Sequence, residues 1–311
     1  GGKWEKYHYH QYDDINQEDW TNEWEGMYGG IGQCNLVLDD LSQLNPSKFN
    51  LSDSEFDSFK AQLRCMRAYC YLRLLNSYRN CILTTTSDQA VNEQPENRKQ
   101  VSPQVMFDFI ESELRDVCLV ALPSKIGQSG NGGQQGQFTK AGAAALLVRL
   151  YLNAEKWIGQ PKWQECIDMC ERITGGEFGY YAIADNWYEP FDWNNEMCNE
   201  VILGFPGSYG LTSWHLKNDK RTVYGRALPY GCEKYLKIEG DGSRNPKYAL
   251  SPSYNNQQPR ALFDYELGMV TQKFAKYAGD KRYKQYVNTS NNTREGMFFM
   301  EGKIANSSIS G

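Results

Sequence analysis

Residues 55–78 read EFDSFKAQLRCMRAYCYLRLLNSY and form the strongest helical pattern in this chain of 311 residues. The stretch contains no glycine or proline, the two residues that destabilise a helix interior most. Asp53 and Ser54 precede it, and both are residue types that often begin a helix. The sequence therefore predicts one long helix here, and the neighbouring segments decide what it packs against.

Small side chains recur in this helix at the spacing found in the second helix of a tetratricopeptide hairpin, a repeat of two antiparallel helices. The 4-then-3 spacing is that of Ala61, Cys65 and Ala68. A second predicted helix, residues 163–173, repeats the spacing with Cys166, Cys170 and Ile173. Together the two patterns favour a mainly α fold, with tetratricopeptide-like helical hairpins stacked over residues 20–173.

Two more helices are marked by residues that cap helix N-termini. Ser102 followed by Pro103 predicts a helix over residues 102–120. Its predicted apolar face consists of Val105, Phe109, Ile110, Leu114 and Val117. Thr139 predicts the start of a helix over residues 140–154. The segment between them, PSKIGQSGNGGQQGQ at 123–137, is rich in glycine and glutamine and predicts a loop.

Residues 20–35, WTNEWEGMYGGIGQCN, combine helical spacing of aromatic side chains with an unusual number of glycines. Each glycine in a helix interior costs ~1 kcal/mol relative to alanine. Small residues allow two backbones to approach closely while neighbouring aromatic rings fill the adjoining gaps. We therefore interpret Gly26, Gly29, Gly30 and Gly32 as contacts between helices. GGIGQ lacks the spacing and the preceding strand of a phosphate-binding loop.

The composition argues against several classes of protein. The net charge is −5, whereas nucleic-acid binding requires clustered Lys and Arg. No run of residues approaches the roughly 18 apolar residues of a membrane span. The nine cysteines include no C-x2-C pair. Only three histidines accompany them, and His8 and His10 are too few to hold a metal. We therefore predict buried thiols for the most part, no metal site and no cofactor.

The second half of the chain differs in character from the first. Thirteen of the 21 tyrosines lie between residues 180 and 286, among Gly, Pro and Asn and with little periodicity. EVILGF at 200–205 predicts a short strand. We therefore predict a helical region over 1–175 and a loop-rich, aromatic-rich region with a few short strands over 176–311, both in one overall domain. Loops this long usually carry function.

Five sequence elements, in chain order, resemble the SusD/RagB family. They are W-x3-Y-x2-I-x3-N at Trp24, Tyr28, Ile31 and Asn35, RCMRAY at 64–69, FTKAGAAALLVRLYLNAEKW at 138–157, EVI at 200–202 and GDKRY at 279–283. The resemblance implies a nutrient-binding outer-membrane lipoprotein of the Bacteroidota. The lipidated cysteine, the signal peptide and the C-terminal repeats of the family have no counterpart here, so we expect a fragment of a larger protein.

The resemblance also implies a function and its partners. Proteins of this family cover a TonB-dependent, SusC-like transporter at the cell surface and bind a glycan, sometimes a peptide, on their loops. They deliver it for import and catalyse no reaction. The implied location is the extracellular face of the outer membrane, through a lipid anchor that this chain does not contain.

A glycan site needs exposed aromatic rings for the C–H faces of sugars and polar side chains for their hydroxyls. Two stretches fit, WEKYHYHQY at 4–12 and SYGLTSWHLKNDKRTVYGRALPY at 208–230. The candidate glycan-binding residues are Trp4, Tyr7, Tyr9, Tyr209, Trp214, Asn218, Arg221 and Tyr224. The first stretch is equally consistent with an edge strand of packed aromatics, and we interpret Trp187 and Trp193 as packing residues.

Two other functions fit the residues in part. A stack of helical hairpins could be a scaffold whose concave face binds a protein or peptide. A helical-toroid glycosidase would need two carboxylates facing each other ~5–9 Å apart across a cleft. Neighbouring acids such as Asp13 and Asp14 are more simply explained by the dipole of the helix that follows.

Overall fold

The computed structural model of the chain describes residue 9 and residues 18–92, 98–125, 136–187, 189–191, 195–205, 286–288 and 293–295. The chain divides into two compact units, Tyr12–Pro206 on the one hand and Gly1–Gln11 with Gly207–Gly311 on the other. The regions 1–175 and 176–311 that the sequence suggests stay a prediction.

The unit Tyr12–Pro206 consists mainly of helices. They are α1 (Glu18–Ser42), α2 (Asp53–Tyr78), α3 (Ser87–Asn92), α4 (Pro103–Ser112), α5 (Leu119–Ala121), α6 (Lys140–Leu152), α7 (Ala154–Ile158) and α8 (Trp163–Thr174). A π-helical segment, Glu113–Cys118, joins α4 to α5. Short 3-10 helices lie at Pro46–Phe49, Glu189–Phe191 and Asn195–Met197. Of the described residues, 67% are helical, which confirms the prediction of a mainly α fold.

Two small antiparallel strand pairs complete the described structure. In the first unit, β1 (Cys81–Ile82) pairs with β2 (Gln100–Val101), and Cys81 lies opposite Val101. In the second unit, β3 (Tyr286–Asn288) pairs with β4 (Thr293–Glu295).

The stretch at 55–78 forms α2 as predicted, but its first residues are capped differently. Ser52, not Asp53 or Ser54, is the N-cap, and its hydroxyl accepts a hydrogen bond from the Glu55 N–H at 3.3 Å. The Glu55 carboxylate in turn accepts a bond from the Ser52 N–H at 2.9 Å. This reciprocal capping box identifies Ser52 as the N-cap, although the neighbouring Asp53 and Ser54 are also residue types that favour a cap.

Helix α1 packs antiparallel on one side of α2. Near the start of α1, Glu23 accepts a hydrogen bond from Arg73 Nε at 3.1 Å, close to the end of α2. Further along α1, Asn35 Oδ1 accepts one from Arg67 Nη1 at 2.7 Å. The contacts therefore move along the two helices in opposite directions, which is the arrangement of a helical hairpin.

Of the four glycines in α1, one makes the predicted close contact. A methyl group on Gly30 would lie 3.1 Å from Cys70 Sγ on α2, which is tighter than ordinary van der Waals contact. A methyl group on Gly26, Gly29 or Gly32 would meet nothing within 4 Å, so the interpretation is wrong for these three. Gly26 lies four residues before Gly30 and on the same helix face, yet it has no neighbour within 4 Å, so helical spacing alone does not predict a close contact.

The small side chains of α2 face the opposite neighbour, the continuous helical segment from α4 through α5. Ala61, Cys65 and Ala68 are fully buried, as the spacing predicts. Cys118 Sγ lies 3.7 Å from the Ala61 carbonyl oxygen, and Tyr71 packs edge-on against Phe109 with ring centroids 5.5 Å apart. This second interface places α2 at the centre of the helical unit.

The buried face of α4 differs from the predicted one. Val105 is 46% exposed, while Phe109 and Val117 are half-buried. The buried apolar residues are Met106, Phe107, Ile110, Leu114 and Cys118. Apolar residues are almost continuous over 105–110, so the sequence pattern alone does not fix the rotation of the helix. The wider π turn then brings Cys118 rather than Val117 to the core.

Helices α6 and α8 form the last pair of the unit. Thr139 caps α6 as predicted, and its hydroxyl accepts from the Gly142 N–H at 3.2 Å. On α8 the buried residues are Cys166, Met169 and Ile173, whereas Cys170 is exposed, so the predicted position of Cys170 is wrong. The other seven described cysteines are buried free thiols, in agreement with the sequence.

A buried ion pair joins the three central segments. Glu113, 2% exposed, accepts hydrogen bonds from Arg67 Nη2 at 2.7 Å and from Arg64 Nε at 2.9 Å. Arg67 Nη1 also donates to Asn35 Oδ1 at 2.7 Å and to the Thr85 carbonyl at 3.0 Å. Arg67 thus connects α1, the π segment and the chain after β1 in one fully hydrogen-bonded cluster.

We expect Glu113→Gln to lower the free energy of unfolding by about 3–5 kcal/mol, because it leaves the charge of Arg67 buried without a counter-ion. The measurement is urea denaturation followed by circular dichroism. Asp116→Asn is the matched control, since Asp116 pairs with Arg115 at 2.8 Å on the exposed surface. Loss of that pair should cost about 0–1 kcal/mol. Equal losses in both variants would contradict the central role of Glu113.

Candidate functional site

Tyr28 on α1 and Tyr71 on α2 hydrogen-bond to the backbone of the chain that follows α2. The Tyr28 hydroxyl donates to the Ile82 carbonyl at 2.9 Å and accepts from the Ile82 N–H at 2.7 Å. Tyr71 does the same two residues later, with distances of 2.7 and 2.9 Å to the carbonyl and N–H of Thr84. Two phenols therefore supply backbone hydrogen bonds to this segment in addition to those between β1 and β2. Burial raises the pKa of both tyrosines.

Two further side chains of α1 complete this contact. Asn35 Nδ2 donates to the Thr84 carbonyl at 3.1 Å. Asp39 accepts from the N–H and the hydroxyl of Ser87 at 2.7 and 2.6 Å, at the start of α3. These bonds lower the pKa of Asp39. Tyr28, Asn35 and Asp39 of α1 are thus used in contacts inside the fold.

The irregular chain after α8 is attached to the helical unit by Lys125, which is 6% exposed. Its ammonium group donates to the Tyr180 carbonyl at 2.7 Å and to Asn199 Oδ1 at 2.9 Å, and lies 4.5 Å from the centre of the Tyr181 ring. Desolvation lowers the pKa of Lys125. One lysine therefore ties together two parts of the chain that lie far apart in sequence.

Gly179 is required for this arrangement. Its φ is +117°, a backbone conformation that residues with a side chain rarely adopt. A methyl group there would lie 2.6 Å from Lys125 Cβ and 3.1 Å from the Lys125 carbonyl oxygen. The position therefore demands glycine for both its backbone conformation and its packing.

The predicted strand at 200–205 is wrong, because the structure shows a turn and irregular chain there. The side chain of Glu200 accepts a hydrogen bond from the Ala184 N–H at 2.9 Å, and the Asn199 carbonyl accepts one from the Ala182 N–H at 3.3 Å. An apolar run becomes a strand only where a partner strand is available. Here side chain and turn contacts take that place.

These contacts leave several side chains of the segment open to solvent. Tyr180 is 51% exposed and Ile183 is 88% exposed. Asp185 and Asn186 are exposed as well, and Trp187 is half-buried. In this segment, exposed polar, apolar and aromatic side chains are close together in sequence.

Of the predicted glycan-binding residues, the structure describes Tyr9, which lies in a turn and is 57% exposed. The others lie outside the described residues and stay predictions: Trp4, Tyr7, Tyr209, Trp214, Asn218, Arg221 and Tyr224. Trp193 lies outside them too. The exposure of the segment around Asp185 was not predicted from the sequence, although the run DNW places an aromatic ring beside polar side chains.

Two negative findings hold for the described ranges. None of their helices is long and apolar enough to span a membrane. They also hold no group of three or more His, Cys, Asp or Glu side chains that could bind a metal ion.

The described part of the chain is a scaffold of antiparallel helical hairpins with an attached irregular segment. Residues 2–152 match a SusD-like family described as "Starch-binding associating with outer membrane". Over these residues the chain is similar to that family. None of the curated proteins matches it.

Several solved structures are similar to this chain, and two with TM-scores of 0.52 and 0.50 agree with it in fold. A structure with a xylogluco-oligosaccharide has a TM-score of 0.52 and 20% identity, over 69% of this chain and 40% of that one. A SusD-like carbohydrate-binding protein from Bacteroides fragilis has a TM-score of 0.50 and 22% identity, over 59% and 32%. A laminarin-binding SusD-like protein has a TM-score of 0.48 and 26% identity, over 58% and 36%. The chain thus spans about a third to two fifths of the length of these proteins.

We expect Gly179→Ala to destabilise the protein by about 1–3 kcal/mol more than Gly159→Ala, because the added methyl group collides with Lys125. Gly159 is the matched control, since its φ is +71° and a methyl group there meets nothing within 4 Å. Alanine at Gly159 should cost only the roughly 1–2 kcal/mol of a left-handed backbone. Urea denaturation of both variants measures the difference. A Gly179→Ala variant as stable as Gly159→Ala would show that Lys125 and its neighbours move aside freely.

Proposed function

We propose that the protein binds oligo- or polysaccharide at the cell surface and delivers it to a TonB-dependent, SusC-like transporter in the outer membrane. The observation that carries the proposal is the match of residues 2–152 to a family described as starch-binding and outer-membrane-associated. The family description joins glycan and membrane in one role, which suits capture before import.

The organisation of the described residues supports binding by loops rather than by the helical scaffold. The polar side chains of α1 and α2 that lie in the core, such as Asn35, Arg67 and Tyr71, bond to the protein itself. Breaking such bonds for a ligand would leave buried polar groups unpaired, which costs about 1–3 kcal/mol each. Exposed aromatic and polar side chains in irregular segments carry no such cost.

The proposed role is binding without catalysis. Glycoside hydrolysis requires a pair of carboxylic acids on either side of the scissile bond. Glu113, the buried carboxylate of the helical core, is occupied by Arg64 and Arg67 and is therefore unsuited to this task. The protein is accordingly expected to release its glycan unchanged.

A second candidate function is that of a helical-repeat scaffold for a protein or peptide. The specific observation in its favour is a row of exposed apolar side chains on the α6–α8 pair. Leu152 is 54% exposed, Trp163 46% and Ile167 50%. In the leading proposal, the helical part would use such a surface toward the transporter, so the two functions are compatible.

The experiment that tests the proposal is native gel electrophoresis in the presence of starch, laminarin or xyloglucan, with bovine serum albumin as the non-binding control. We expect retardation by at least one polysaccharide and no increase in reducing ends after long incubation. Retardation with growth of reducing ends would identify a glycosidase. If no polysaccharide retards the protein, the scaffold function takes the place of glycan capture.

We expect Trp4→Ala and Trp214→Ala to weaken glycan binding roughly tenfold to a hundredfold while the melting temperature stays near that of the wild type. By comparison with bases on aromatic side chains, one stacked ring contributes ~1–3 kcal/mol. Calorimetry with the glycan that retards the protein gives the affinity, and circular dichroism gives the melting temperature. Wild-type affinity with a sharply lowered melting temperature in both variants would mean that these tryptophans belong to the core, where truncation costs ~3–5 kcal/mol.

A further inference from the structure

The backbone of residues 180–184 is fixed at every second residue. Lys125 Nζ donates to the carbonyl of Tyr180, and the N–H of Ala182 donates to the Asn199 carbonyl at 3.3 Å. The N–H of Ala184 donates to the Glu200 carboxylate at 2.9 Å. A segment held in this way has little conformational entropy left to lose when a ligand binds, which favours affinity.

The turn that follows is held by its own side chains. The main-chain N–H and the Nδ2 of Asn186 both donate to Glu189 Oε1, at 3.1 and 2.7 Å. The N–H of Glu189 donates back to the Asn186 carbonyl at 3.2 Å. The side chain of Asn186 is thus oriented by Glu189, while its amide oxygen and its second amide hydrogen remain for another partner.

The neighbouring side chains offer complementary chemistry. Asp185 is exposed, and no hydrogen bond or ion pair joins its carboxylate to another described residue. Trp187 is half-buried, so part of its ring surface is accessible. Ile183 is the most exposed large apolar side chain among the described residues, at 88%.

We propose that Ile183, Asp185, Asn186 and Trp187, which we name the 183–187 surface, form a subsite for one neutral hexose residue of a captured glycan. The proposal rests on the function proposed above. The indole and the isoleucine take the C–H face of the sugar, because amphipathic aromatic rings combine apolar area with a polar edge. The Asp185 carboxylate and the Asn186 amide bind neighbouring hydroxyls, and charge-assisted bonds to a carboxylate are the stronger ones.

The charge of the surface sets the class of sugar. Asp185 belongs to the surface, Glu189 and Glu200 accept hydrogen bonds from its segment, and Lys125, which donates to the Tyr180 carbonyl, is buried. A uronic acid or sulfated sugar would bring a second negative charge to this place, and like charges repel. Neutral glucans are therefore preferred over anionic polysaccharides.

The test is calorimetry of the wild-type chain and its variants with laminarihexaose, maltohexaose and a xylogluco-oligosaccharide. We expect Trp187→Ala to bind about tenfold to a hundredfold more weakly, and Asp185→Ala about tenfold more weakly. Phe59→Ala is the matched control, an exposed aromatic side chain on α2, and should bind like the wild type. Oligogalacturonate should bind more weakly than the neutral probes, and Asp185→Asn should narrow that difference.

The outcomes separate this inference from the general proposal. Because Asp185 is exposed, Asp185→Ala keeps the test valid even if Trp187→Ala fails to fold. Wild-type affinity in Asp185→Ala and in a folded Trp187→Ala would overturn the subsite and leave glycan capture standing. If the wild type binds none of the neutral probes, glycan capture fails and the subsite with it.

Discussion

The contact between Arg67 and Glu113 is the constraint on which the helical unit depends. A carboxylate that is 2% exposed is tolerable only beside a cation, and Arg67 supplies that cation from the centre of α2. The guanidinium has further donors, and they fix Asn35 of α1 and the Thr85 carbonyl after β1. Because a guanidinium is planar and rigid, these bonds also set the rotation of three segments about α2. The apolar core then fills the space that they define.

The residues that build the helical scaffold and the residues proposed to bind a ligand lie in different parts of the chain. Residues that carry the resemblance to the SusD-like family, Tyr28, Asn35 and Arg67 among them, bond to the protein and build the scaffold. The side chains of the proposed 183–187 surface lie on irregular chain that Lys125 attaches to this scaffold. A family of such proteins can keep its scaffold residues and vary its loops, and binding loops on a rigid base are a common arrangement in proteins.

Local sequence predicted the helices well and their contact faces less well. Thr139 and Ser102 cap helices as expected, because a capping bond joins residues only two or three apart. The predicted buried face of α8 was wrong at Cys170, because the equally apolar Met169, one residue earlier, is buried instead. The strand expected at 200–205 failed for a similar reason, because a strand needs a partner that local sequence does not supply. The exposure of Tyr9 agrees with its proposed role, whereas the 183–187 surface escaped notice.

The sequence by itself determined the class of fold, the long central helix and the resemblance to the SusD-like family, because periodicity, caps and motif order are properties of neighbouring residues. Only the tertiary structure decided that Arg67 is buried against Glu113, that one of the four glycines of α1 touches α2, and that Lys125 holds the segment at 180–184. Each of these facts depends on groups tens of residues apart along the chain. Their distance in space follows from how helices pack, and no local pattern encodes it.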